Sequence, residues 1–221
     1  MAIAGLLEPQ VVERFRRMYV GLIVDACDHL IGVSSRRFMD PAIRPIHKAT
    51  KIVGQAYTVL QAPARRGTGL AGTFEAAEVA SPGQVIVVAG GMDEVAMWGE
   101  MLSIRCKYRG IEGAVVDGGC RDVPFIEDIG FPVFFRTFAP TSAQPRVDTI
   151  AHGVPVECGG VLVEPGDLVF GDVDGICVVP RSQILDVLAF CEEKAAEEEE
   201  VRNRLRSGNS FYEISKDFKV L

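Results

Sequence analysis

Three short apolar runs, separated by stretches of helical length, constrain the middle of this chain to a parallel sheet. Pro82-Gly83 turns into Val85-Ile86-Val87-Val88, and Gly90-Gly91 reads as the end of that strand. A helix is expected from roughly Trp98 to Tyr108, closed by Gly110, and a second strand over Ala114–Asp117. A short helix after Arg121-Asp122 leads to a third strand, Pro132-Val133-Phe134-Phe135. Continuous apolar runs are buried on both faces, and such strands alternating with helices make βαβ units.

The flanks read differently. Residues 8–19 carry Val11, Val12, Phe15 and Met18 at helical spacing, and a second helix is expected from about Val24 to Leu30, stopped near Gly32. Ile52 to Leu60 is strand-like. Ala62–Gly72, with Arg65 and Arg66, reads as a mobile loop opening a helix that runs to Val79. After residue 150, short runs joined by Gly-Gly and Pro-Gly turns predict antiparallel hairpins: Val154–Glu157, Gly160–Val163, Leu168–Phe170 and Ile176–Val179. A charged helix of about 182–206 follows, ended by Ser207-Gly208, with the acidic run Glu197-Glu198-Glu199-Glu200 at its centre. No linker divides the chain, so 1–221 is expected to form one α/β domain with a parallel βαβ core and antiparallel hairpins.

Composition narrows the function classes. Net charge is −7, which argues against a nucleic-acid groove as the main surface. Met1-Ala2-Ile3-Ala4 opens no basic leader, and no apolar run is long enough to span a bilayer, so a cytoplasmic chain with no membrane partner is expected. Six scattered cysteines, Cys27, Cys106, Cys120, Cys158, Cys177 and Cys191, form no C-x-x-C pair and read as buried free thiols. Cys120, beside Arg121, also has the place of a nucleophile, though no nearby histidine would activate it. His29, His47 and His152 are isolated, and Asp167, Asp172 and Asp174 sit in turn sequences.

The chemistry concentrates at Arg121-Asp122. A buried-strand run, Gly113 to Asp117, enters Gly118-Gly119, and a fixed cation and a carboxylate follow at once. Loops at the carboxyl ends of strands are where open α/β sheets bind ligands. Arginine grips a carboxylate through two parallel hydrogen bonds, and aspartate offers oxygen to a hard metal ion. Twenty residues separate Glu100 from Arg121, room for one helix and one strand, which brings both to one end of the sheet. Gly99-Glu100-Met101-Leu102 opens the crossover helix, where free backbone N–H groups receive anions. Plainer roles also fit: Glu100 as a first-turn acid favoured by the helix dipole, Asp122 as the N-cap before Val123-Pro124, Arg121 as a surface ion-pair partner. With no lysine in these loops, a Schiff-base route is disfavoured.

Glu100, twenty residues, then Arg-Asp resembles the signature of the RraA-like proteins. That family includes metal-dependent 4-hydroxy-4-methyl-2-oxoglutarate/4-carboxy-4-hydroxy-2-oxoadipate aldolases and the regulator of ribonuclease E. The likeness extends through Trp98–Leu102, Arg109–Gly118, Pro132-Val133-Phe134, Val163–Asp167 and Asp172–Gly175 with Val178-Val179-Pro180, and spans most of residues 20–208. It implies a swivelling-type β/β/α sandwich, assembled as a homotrimer or homohexamer with sites between subunits. By resemblance, Arg121 binds the carboxylate of a pyruvate-like unit, with Gly99 and the amides near Met101 and Leu102 completing that site. Asp122 ligates Mg²⁺ or Mn²⁺ directly. Glu100, and Glu198 from the neighbouring subunit's C-terminal helix, act through water, with Glu199 the next choice. Enzymatic members tend to carry an acid three positions after the Asp; here Phe125 stands there.

The expectation is a divalent-metal-dependent lyase that releases pyruvate from a 2-oxo acid, by retro-aldol cleavage, oxaloacetate decarboxylation or both. The competing readings are a non-catalytic ring that binds a ribonuclease, and a sugar-acid aldolase or decarboxylase using the same metal site.

Overall fold

The structure, a computed structural model, describes residues 5–65 and 67–217. Met1–Ala4 and Arg66, on which expectations were placed above, lie outside them. Two helices, α1 (Pro9–Arg16) and α2 (Val20–Leu30), open the chain, and a two-residue β1 (Arg44–Pro45) precedes the central strands. These are β2 (Ile52–Pro63), β3 (Val85–Trp98), β4 (Gly113–Cys120) and β5 (Val133–Phe138), parallel in the order β5-β4-β3-β2. Their crossovers are α3 (Ala71–Val79), α4 (Glu100–Tyr108) and α5 (Val123–Ile129). β6 (Val147–His152) returns antiparallel along the second half of β2. A separate hairpin pairs β7 (Val156–Cys158) with β8 (Val161–Val163). β9 (Leu168–Asp172) and β10 (Gly175–Val179) extend the main sheet antiparallel beyond the first half of β2. A 3₁₀ turn leads into α6 (Ile184–Arg206), and α7 (Phe211–Asp217) follows.

The alternation of side chains along the strands sorts the core into layers. Ile86 and Val88 of β3, Ala114 and Val116 of β4, and Val133 and Phe135 of β5 point to the face covered by α3, α4 and α5. Val85, Val87, Val115 and Phe134 point the other way, onto Val156, Val161 and Val163 of the small hairpin and Val169, Ile176 and Val178 of β9 and β10. The outer faces of β9 and β10, through Leu168, Phe170, Cys177 and Val179, are covered by α1, α2 and α6. Phe134 is fully buried at the inter-sheet layer; truncating such a residue to alanine costs about 3–5 kcal/mol. The result is the expected mixed α/β architecture: a parallel βαβ core with antiparallel hairpins.

Several boundaries differ from expectation. Gly90-Gly91 does not end β3, which continues to Trp98 through register shifts against β4. Glycine pairs inside a strand mark bulges as readily as ends. The shifts bring β3 backbone against Gly118 and Gly119, where an added Cβ would stand 2.8 Å from Met92 O and 2.5 Å from Val95 O. The crossover helix therefore starts at Glu100, not Trp98. The first expected helix is broken at residues 17–19, and α2 begins at Val20, whose N–H is held by Asp172 Oδ2 at 2.8 Å. The strand β6 and the helix α7 carried no periodic signal and were not anticipated. No helix among the described residues is long and apolar enough to cross a membrane.

Candidate active site

Trp98 of β3 pairs with Cys120 of β4, and Arg121 N–H donates to Trp98 O at 3.2 Å. The two strands thus end level with each other. The next residues along each, Gly99-Glu100 and Arg121-Asp122, enter adjacent loops at the carboxyl edge, as the spacing predicts. They border a cavity of about 230 Å³. Gly99, Glu100, Met101 and Leu102 line one part of it and Arg121 and Asp122 another. Trp98 beneath them is buried, with its indole N–H donating to Ser103 Oγ at 2.8 Å and its ring stacked on Phe131.

Asp122 occupies the N-cap position of α5, but its side chain makes no capping hydrogen bond. Its backbone is left-handed (φ 61°, ψ 28°), the only positive φ of a non-glycine among the described residues. This conformation is unfavourable for most L-residues and best tolerated by Asn and Asp. It turns the carboxylate back toward α4: Oδ2 is 3.3 Å from Arg121 Nε and 3.4 Å from Glu100 N. Both contacts are long, so the oxygens remain available to a ligand. The simple N-cap role is thereby replaced by one facing the cavity.

The N–H groups of Met101 and Leu102 lie in the first turn of α4, which a helix leaves without internal partners. Gly99 caps this turn with no side chain. Arg121, this helix end and the Asp122 carboxylate therefore present a cation, free amides and hard oxygens to one small space. That combination receives a carboxylate beside a metal ion.

Among the described residues no three His, Cys, Asp or Glu side chains gather as a metal cage. Zinc, which asks for three or four such ligands, does not fit. Mg²⁺ keeps several waters and takes one or two carboxylates. Asp122 with Glu100 on the same cavity matches that donor chemistry.

Other expectations sort clearly. Glu198 does not line the cavity of its own chain; it pairs with Arg202 at 2.6 Å and accepts a hydrogen bond from Tyr19 Oη. Phe125 is exposed on α5 and lies off the cavity. All six cysteines are free and buried, and burial pushes the Cys120 thiol up to about 12, which removes it as a nucleophile near neutral pH. His29 stacks on Phe190, His47 Nδ1 accepts from Ala49 N–H, and His152 bonds Tyr57 Oη. Asp167 and Asp172 hold turns by accepting from Glu164 N–H and Asp174 N–H.

The cavity also has walls that sequence reasoning did not assign: Leu70 and Phe74 at the start of α3, and Ser142, Ala143 and Gln144 before β6. The available signal was position alone, since 139–146 is a turn-rich stretch following the carboxyl end of a parallel strand.

Comparison with known proteins agrees with this geometry. The family model RraA-like (Aldolase/RraA) matches residues 23–178. The chain belongs to the RraA-like family. A Halalkalibacterium halodurans protein named "Putative 4-hydroxy-4-methyl-2-oxoglutarate aldolase" is 37% identical over 204 residues, 91% of each chain. Among solved structures, Streptomyces coelicolor RraAS2, described as an unusual member of the RNase ES inhibitor RraA protein family, has a TM-score of 0.80 at 30% identity, covering 90% of this chain and 99% of its own. An uncharacterized protein from Pseudomonas syringae pv. tomato has a TM-score of 0.83 at 24% identity, covering 96% and 99%, which supports the shared fold. In this RraA-like chain Glu100, Arg121 and Asp122 all fall inside the matched region.

Proposed function

We propose that this chain is a divalent-metal-dependent lyase that cleaves a C–C bond of a 2-oxo acid and releases pyruvate. The observation that carries this reading is the convergence of Arg121, Asp122 and the α4 N-terminus on one small cavity. The name borne by the H. halodurans relative supports the same reaction class. Mg²⁺ or Mn²⁺, held directly by Asp122 and through water by Glu100, would supply a Lewis acid where negative charge develops.

The protein's own groups do the rest. Arg121 grips the substrate carboxylate through its planar fork, which fixes the 2-oxo unit against the α4 amides. Positioning and fixed dipoles at a developing charge are among the largest contributions to catalysis. Retro-aldol cleavage also needs the 4-hydroxyl proton removed, and Glu100 is placed to hold the water that takes it. Decarboxylation of oxaloacetate leaves the same three-carbon enolate, so one site serves both reactions.

The account includes a homotrimer or homohexamer in which Glu198 reaches the neighbour's site. The alternative, a ring that binds a ribonuclease without catalysis, is favoured by the 30% identity to RraAS2. A sugar-acid aldolase or decarboxylase using the same groups is the remaining variant. Pyruvate release from oxaloacetate and a panel of 4-hydroxy-2-oxo and sugar acids, with Mg²⁺ and with EDTA, tests all three. Metal-dependent release supports the lyase, and the preferred acid names its class. No release with any acid, together with tight binding of a ribonuclease, would establish the regulator.

A further inference from the structure

We propose that the buried carboxylate of Asp148 is a positioning group that builds a second subsite in this cavity, one for the uncharged part of the substrate beyond its 2-oxo carboxylate. The inference rests on the 2-oxo acid reading above and deepens it.

Asp148, on β6, is 1% exposed. A buried charge is costly unless hydrogen bonds satisfy it. Here one oxygen accepts from Arg65 N–H at 2.8 Å and Gly67 N–H at 3.1 Å, and the other from Gly69 N–H at 2.9 Å and Thr68 Oγ1 at 3.2 Å. A loop at the surface has no need of a buried acid, since water satisfies its amides. This carboxylate instead sets the path of the chain into Leu70 and Phe74, two walls of the cavity.

The next residue of β6 repeats the grip. Thr149 N–H donates to Gly69 O at 2.8 Å, and its hydroxyl bonds that of buried Thr73 at 2.8 Å. Gly69 (φ +61°) is packed so closely on Gln144 that an added Cβ would meet its amide nitrogen at 2.6 Å. Gln144 is itself a cavity wall. Asp148 therefore fixes Leu70, Phe74 and, through Gly69, the Gln144 side chain. These groups are two hydrocarbon side chains and one neutral amide, while Arg121 is the single cation among the described lining residues. The chemistry selects an uncharged, largely apolar substituent on the 2-oxo acid.

The test uses pyruvate and 2-oxopentanoate, which share a head group and differ by two methylenes. Trp98, the only tryptophan, lines the cavity, so its emission follows binding to the Mg²⁺-supplemented protein. Wild-type protein is expected to bind 2-oxopentanoate roughly tenfold more tightly than pyruvate. Asp148→Asn should lose that preference while its pyruvate affinity holds. Should Asp148→Asn fail to fold, Thr68→Val, which removes one donor to the carboxylate, carries the same prediction in weaker form. Equal affinities in the wild type, a preference that survives in the folded variant, or an equal fall for both acids would overturn the subsite. Failure of the wild type to bind either acid would overturn the 2-oxo acid reading itself, and the subsite with it.

Discussion

A β-carbon placed on Gly99 would stand 2.9 Å from Asp122 Oδ2. The two residues come from different loops, and the absence of a side chain at one lets the carboxylate of the other lie against the start of α4. Gly99 has an extended backbone (φ −168°, ψ −172°) that any residue adopts, so the constraint is the close approach and not strain. Gly99→Ala should fold, yet displace Asp122 and Arg121. Misplacing catalytic groups by about 1 Å costs on the order of a hundredfold. A thermal melt near that of the wild type together with a fall in kcat/KM of that size is the expected pair of results.

The left-handed backbone of Asp122 separates its structural from its functional role. Its side chain caps nothing, so removing it costs no capping bond. Asp122→Gly should be at least as stable as the wild type, Asp122→Asn close to it, and Asp122→Ala about 1–2 kcal/mol less stable than the glycine variant because alanine resists this conformation. All three should lose metal-dependent activity. Denaturant midpoints in that order, with Mg²⁺ affinity lost throughout, would fit; an alanine variant as stable as the glycine one would not.

Cys120 is fully buried and its thiol is pushed up to about 12, first by desolvation and then by Asp122. The thiol is therefore protonated across the neutral range, and deprotonation becomes appreciable only toward strongly alkaline pH. Iodoacetamide at pH 7.5 should leave Cys120 unmodified in the folded protein, by mass spectrometry, and Cys120→Ala should keep wild-type turnover. Rapid alkylation with loss of activity would restore Cys120 as a nucleophile.

Glu198 is tied to Arg202 and Tyr19 within its own chain. Burial and this neighbour push the Tyr19 hydroxyl up to about 12, so it remains a donor at neutral pH. In the shared-site account Glu198→Gln lowers metal affinity or turnover about 10–100-fold with the oligomer intact. Mixing inactive Arg121→Ala with Glu198→Gln, under verified subunit exchange, should restore part of the activity at interfaces where intact residues meet. No recovery would confine both residues to one subunit's function.

The parallel core was legible because strands buried on both faces read as unbroken apolar runs, and β3, β4 and β5 each have one. The site was legible where chemistry sits at a strand's carboxyl end, at Glu100 and Arg121-Asp122. What escaped depends on tertiary packing. The Gly90-Gly91 bulge resembles a strand end until β4 is seen to lean on it. β6 reads as loop because its register is set by β2, not by its own alternation. Asp148 is unremarkable in sequence, since its donors lie some 80 residues earlier. The left-handed turn of Asp122, which separates a metal-facing acid from an N-cap, has no local sequence mark at all.

The central claim is that Arg121 clamps the carboxylate of a 2-oxo acid beside the metal site. Its most direct test is kcat/KM for pyruvate formation by Arg121→Lys, measured with saturating Mg²⁺ on the best acid of the panel. Lysine keeps the charge but not the planar two-bond grip. The account predicts a fall of about a hundredfold or more. Wild-type kinetics in Arg121→Lys would contradict it.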